Sequence, residues 1–272
     1  MLDSSADHMS TLRILVYVVL LFAMVPALAR SQDAEQLFRD GERLFAEHSF
    51  EAAIAAFQRS AELRPEYAPG WKALGVVYAS RGDFDRAETP FRNACERQPS
   101  LPDACLYYGR TLYLLNRFQA AIPVLQRTLQ REPRNAEGYR LLALSLEGLG
   151  RAAEAGDAFR QSLNLNRRSS PDEDPGIDYG VFLTRQGHPE QAIGPLEDAL
   201  KRHPDSARGH LELGCTLLEL DRLAEAADQL EKSIALDPRA PRAHLLLGKV
   251  YLRLGRTEAA EEHLRQGSRT VK

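Results

Sequence analysis

The stretch WKALGVVYASRGDFDRAETPFRNACERQP, Trp71 to Pro99, decides the fold. Trp71, Leu74, Gly75 and Tyr78 stand at the i, i+3, i+4, i+7 spacing of one helix face. Gly82 follows where that helix must stop, and Ala87, Phe91 and Ala94 give a face to a second helix, closed by Pro99. The spacing predicts two short antiparallel helices joined by a tight turn.

Sliding a frame of about 34 residues outward from Trp71 recovers the same pattern along the chain, in seven units starting near residues 34, 68, 102, 136, 173, 207 and 241. The twentieth place is alanine in every unit, from Ala53 to Ala260. A place so uniform wants the smallest helix-forming side chain, where the second helix crosses closest to the first. The eighth place is glycine in all units but the fourth, which has Ala143. A helical glycine costs about 1 kcal/mol relative to alanine, so its recurrence implies a close contact that compensates. At the fifteenth place stand Gly82, Gly150, Gly187 and Gly255, with Asn116, Asp221 and His48 in the remaining units, as expected of a left-handed turn between helices. A large residue at the twenty-fourth place, Phe57, Phe91, Leu125, Phe159, Leu196, Leu230 or Leu264, reads as a plug into the neighbouring unit. Prolines close most units, but Arg167 stands where the fourth would have one. There the frame slips through Arg167–Pro175, and Asp174 before Pro175 reads as an N-cap that restarts the fifth.

These residues resemble the tetratricopeptide repeat, W-x2-L-G-x2-Y, then A-x3-F, then P, at every marker position of the second unit. The resemblance implies an all-α fold, a right-handed superhelical α-solenoid of seven helix-turn-helix repeats over residues 34–272. It also implies a concave groove lined by one stripe of each first helix, which holds an extended peptide or a partner helix. With places four, seven, eight and eleven spent on packing, the stripe is places two, five, nine and twelve. Its candidates are Lys72, Leu106, Arg110, Tyr113, Arg140 and Leu144, with Tyr107 beside them. Arginine and tyrosine among leucines are the residue types that anchor protein interfaces. Farther on, Ile177, Leu211, Leu218, Leu245 and Leu252 make the stripe apolar, with Arg208, Arg242 and Lys249 as polar anchors.

The first 29 residues read differently. Arg13 precedes an apolar run from Ile14 to Val25, and Ala27, Leu28 and Ala29 fit a cleavage site before Arg30. The run is short for a bilayer span, which favours a cleaved secretory signal over an uncleaved anchor. Acidic Asp3 and Asp7 suit a signal poorly, and a start at Met9 removes them. The expectation is export to the periplasm or beyond, with no membrane span after cleavage. A formal net charge of -3 supplies no basic field for nucleic acid.

No nucleophile–base pair or cofactor motif stands apart from the repeat, so no enzyme activity and no cofactor is expected. His210 and His244 share the register of Trp71 and read as core aromatics rather than metal ligands. Asp172, Asp174, Asp178 and Gly176 miss the calcium-loop spacing. Cys95 and Cys105 lie at equal offsets about Ser100, on facing sides of two helices. Buried free thiols are the favoured reading and a disulfide the other. The functional expectation is a scaffold or adaptor for a protein or peptide partner whose identity the sequence does not give. The competing classes are an oligomeric spacer built by stacking, and an accessory subunit of a separate enzyme.

Overall fold

The computed structural model describes residues 31–166 and 169–269. Every described element is helical: α1 (31–46), α2 (Phe50–Leu63), α3 (Ala68–Ser80), α4 (Phe84–Arg97), α5 (Ala104–Leu114), α6 (Phe118–Arg131), α7 (Ala136–Gly148), α8 (Ala152–Leu165), a 3-10 turn (Pro171–Glu173), α9 (Pro175–Arg185), α10 (Pro189–Arg202), α11 (Ala207–Glu219), α12 (Leu223–Leu236), α13 (Pro241–Arg253) and α14 (Thr257–Arg269). Odd-numbered helices are the first and even-numbered helices the second members of the repeating pairs. The leader and its cleavage site lie outside the described residues. Among the described residues no helix is long and apolar enough to cross a membrane. The chain divides into two compact units, one ending at Arg117 and one beginning at Phe118.

Every turn at the fifteenth place takes the left-handed conformation. Gly82, Gly150, Gly187 and Gly255 have φ between 71° and 80°, while His48, Asn116 and Asp221 reach 56° to 59°. Asparagine and aspartate tolerate that region because a short polar side chain satisfies nearby backbone groups.

Each twentieth-place alanine, Ala53, Ala87, Ala121, Ala155, Ala192, Ala226 and Ala260, is fully buried. The eighth-place glycine faces the large residue of its own pair. A Cβ on Gly75 would lie 2.6 Å from the Phe91 ring, one on Gly41 2.6 Å from Phe57, and one on Gly180 2.4 Å from Leu196. The plug thus fills the space its own glycine leaves, an addition to the expected contact with the next pair. That second contact is present too: Phe91 packs on Tyr107 with ring centroids 5.4 Å apart, and Phe159 on Phe182 at 5.2 Å.

The structure adds one linkage and decides between the two readings of another. The hydroxyls of Ser60, Ser162 and Ser233 donate to the carbonyls of Ala34, Ala136 and Ala207, each 26 residues earlier, tying the end of a second helix to the start of the first. Cys95 and Cys105 are joined as a disulfide between α4 and α5, with Cα atoms 4.6 Å apart. This corrects the expectation of free thiols: equal offsets from the turn bring the two residues within bridging range, and burial of each alone would not.

At the frame slip Asp174 caps α9 as expected, accepting from Gly176 N at 2.8 Å, with Pro175 as the first helical residue. Its side chain is fully buried and also accepts from Arg202 Nη2 at 2.8 Å and from Ser169 Oγ at 3.0 Å. The insertion is therefore anchored at a charged hub. Burial works to raise the Asp174 pKa, but the bonds from Arg202 and Gly176 outweigh it and hold the carboxyl below its ordinary value.

Candidate functional site

In the unit that ends at Arg117, the inward stripe of α1, α3 and α5 bounds two adjoining cavities of about 460 Å³ each. One lies between α1 and α3, walled by Phe38, Phe45, Phe57 and Lys72. The other lies between α3 and α5, walled by Phe84, Phe91, Tyr107 and Arg110, with Leu114 at its edge. Val76 belongs to both walls. Phe38 and Phe45 on α1 and Tyr107 on α5 face the groove because the glycine and alanine places draw the helices of each pair together, which turns the next stripe of each first helix away from the core. Phe57, Phe84 and Phe91 reach the cavities from the second helices α2 and α4. Leu114 is 41% exposed, so the apolar lining continues to the surface.

Lys72 lines the first cavity and reaches toward Tyr107 of the second. Its Nζ donates to the carbonyl of Pro102 at 2.8 Å and lies 5.6 Å from the centroid of the Tyr107 ring. No described carboxylate pairs with it. An ammonium carries three donors, so a carbonyl and a ring face leave it able to take an anion. Glu42 lies on the far wall of the first cavity.

The remaining sequence candidates fall elsewhere. Leu106 is buried and contributes packing, while Tyr113 and Leu144 are half-buried. Arg140, in the unit beginning at Phe118, is 7% exposed and held by Glu137 at 2.6 Å and Asp178 at 2.8 Å. Burial acts to lower its pKa, but the two carboxylates outweigh that and raise it. Arg208 shares Asp178 and donates to the carbonyl of Asp172, and Arg242 pairs with Glu212. Three arginines of this stripe are thus engaged by carboxylates of the same unit, and Ile177 is fully buried. The structure brings Lys72, Tyr107 and Arg110 to one groove and places Arg140 in a charged cluster. The aromatic walls Phe38, Phe45 and Phe84 were missed. Phe38 and Phe45 occupy the fifth and twelfth places of the first unit, so the stripe register itself was their signal, whereas Phe84 stands on a second helix outside it.

His210 and His244 repeat the bond of Trp71. Trp71 Nε1 donates to the carbonyl of Pro65 at 2.7 Å, and the Nε2 atoms of His210 and His244 lie 3.0 and 3.2 Å from the carbonyls of Pro204 and Pro238. His244 Nδ1 lies 3.0 Å from His263 Nδ1. Among the described residues no group of three or more metal-binding side chains gathers. Burial pushes the Cys215 thiol above its ordinary pKa, with nearby Arg242 opposing.

Paired helices crossing at glycine and alanine, turned at a left-handed residue and stacked on one another, define an α-solenoid of a class that serves protein interaction. The tetratricopeptide repeat model matches residues 38–102, 109–174, 183–237 and 211–268, and the chain belongs to that family. It is 28% identical over 156 residues to human Protein IFIT1 homolog B, a match covering 54% of this chain and 32% of that protein. The chain thus spans about a third of the length of this curated relative. Its fold is similar to a tetratricopeptide repeat protein from Parabacteroides merdae, with a TM-score of 0.69 and 14% identity over 88% of this chain and 93% of that one. It is also similar to Pseudomonas aeruginosa pilF, with a TM-score of 0.62 and 20% identity over 79% and 96%.

Proposed function

We propose that the chain is an exported, non-enzymatic adaptor that holds a peptide segment of a protein partner in the groove of α1, α3 and α5. The observation that carries this reading is the pair of adjoining aromatic-walled cavities that share Val76, with Lys72, unpaired with any described carboxylate, on the wall of the first. Apolar pockets with a few convergent polar groups are where binding energy concentrates, and a continuous exposed apolar groove is costly to keep in water without a use. Export is supported by the apolar leader before Ala29 and by the Cys95–Cys105 disulfide, since such bonds persist in oxidising compartments. The absence of catalysis is supported by the family, whose members are in general interaction modules.

The test compares the chain with its Tyr107→Ala, Arg110→Ala variant in affinity capture from an extract of the source cells, read by mass spectrometry. A partner retained by the chain and lost from the variant, with unchanged melting of both, supports groove binding. Partners retained equally by both contradict it.

A further inference from the structure

The Cys95–Cys105 disulfide sits at an irregular junction of the repeat. Elsewhere, outside the insertion, residues 64–67, 132–135, 203–206 and 237–240 join one pair to the next, and none of these junctions carries a covalent tie. From α4 to α5 the joining residues are 98–103, two more, and α5 starts correspondingly late at Ala104. The last of them, Asp103, has φ 63° and makes no side-chain cap on α5. The other described non-glycine residues at positive φ, His48, Asn116 and Asp221, all stand at the turn inside a pair. A left-handed side-chain-bearing residue persists only where its surroundings impose it. Here the bond from the last turn of α4 to the first turn of α5 does so.

The segment so closed builds part of the groove. Leu101 lines the first cavity, and the Pro102 carbonyl accepts from Lys72 Nζ at 2.8 Å on the wall of that cavity. The Arg97 guanidinium, next to the segment, lies 5.5 Å from the centroid of the Trp71 ring on α3. Within the segment the backbone makes isolated turns, Leu101 N donating to the Gln98 carbonyl at 2.9 Å and Ala104 N to the Leu101 carbonyl at 3.2 Å. Turns of this kind open locally while packed helices stay closed, so the covalent bond is what keeps this wall in place. Cys105 is buried but Cys95 is only half-buried, which leaves a path for a small thiol.

We propose that the Cys95–Cys105 bond is a redox latch on the groove, closed in an oxidising compartment and opened by a dithiol reductant. One thiolate of the reductant attacks the Cys95 sulfur, the S–S bond breaks, and Cys105 leaves as a thiolate that takes up a proton. The second thiol then displaces Cys95, so the reductant ends as a disulfide and the chain gains two electrons and two protons. Leu101 leaves the first cavity and Lys72 loses its carbonyl partner. The consequence for binding rests on the groove reading above: the oxidised chain holds its peptide and the reduced chain releases it.

Hydrogen exchange and lysine acylation, both read by mass spectrometry on the full chain with and without dithiothreitol, test the latch without the partner. Reduction should speed exchange over residues 98–107 while α2 and α3 keep their protection. It should also raise acylation of Lys72 several-fold against Lys201 and Lys232, which are ion-paired in the other unit. The Cys95→Ser, Cys105→Ser chain should match the reduced form and ignore dithiothreitol. Exchange and acylation unchanged by reduction overturn the proposal, since the segment then holds its place unaided. Loss of protection in α2 and α3 overturns it as well, because the bond is then a staple of the whole unit and not a latch on one wall. Neither result bears on the groove reading, whose own test is the partner capture described above.

Discussion

A methyl group on Gly75 would sit 2.6 Å from a ring carbon of Phe91, while one on Gly156 would meet Phe182 at 3.5 Å, an ordinary contact. The two glycines therefore answer substitution with opposite signs. Gly75→Ala should destabilise by about 1 to 3 kcal/mol through overpacking. Gly156→Ala, inside α8, should stabilise by up to about 1 kcal/mol by removing glycine's conformational cost. Paired thermal melts check both, and a loss at Gly156 equal to that at Gly75 would contradict the packing argument. His263 adds a pH dependence. Burial lowers its pKa below the ordinary 6.5, the neighbouring His244 acts in the same direction, and Glu231 opposes. The ring also faces Tyr251, 5.6 Å between centroids. The unfolded chain thus binds the proton more readily than the folded one. This contribution to stability is whole above about pH 6.5 and is lost as pH falls through the depressed folded pKa. Melts at neutral and mildly acidic pH should show a drop that His263→Gln reduces; the same drop in both chains would contradict it. At this scale the equivalence of Trp71, His210 and His244 was legible from register. Their shared bond to a repeat-proline carbonyl was not, because a sequence does not show which ring nitrogen meets which carbonyl.

Among elements, the turn residues, capping Asp174 and buried alanines were legible because each is dictated by local backbone geometry. The state of Cys95 and Cys105 was not, since it depends on the packing of α4 against α5. Closing so short a loop stabilises by about 2 to 3 kcal/mol on the chain-entropy view. Joint Cys95→Ser, Cys105→Ser replacement should lower the melting temperature, and intact mass with thiol labelling should find one reactive thiol after unfolding of the unreduced chain. Three reactive thiols would contradict the bond. Asp174 is a sharper test of the frame slip, because its fully buried carboxylate holds Arg202, Ser169 and the first turn of α9. Asp174→Ala should cost about 3 kcal/mol, measured by denaturant unfolding. A cost near zero would make the insertion a passive loop. Arg140 marks where stripe reading fails. Its place on α7 is that of a groove residue, yet Asp178, 38 residues on, meets it across the pair interface. A helical stripe carries no information about charges arriving from another helix.

For the whole molecule, the repeat made the fold legible almost in full, because one pattern recurs often enough that a single irregular unit does not obscure it. The site was legible only as a class, a stripe of first-helix residues. Which part of the stripe stays open depends on where ion pairs fill it, and Phe84, on a second helix, lies outside the stripe register. The proposed export is tested at this scale too. N-terminal sequencing of the chain recovered from outside the cytoplasm should begin at Arg30, and recovery of the intact leader there would contradict cleavage. The most direct measurement of the central claim places a photo-crosslinking residue at Val76, the wall shared by both cavities, and a control at exposed Arg92 on α4, each in the full chain in its source cells. Groove binding predicts a discrete protein adduct from position 76 and none from position 92. Adducts from both positions, or from neither, would contradict it.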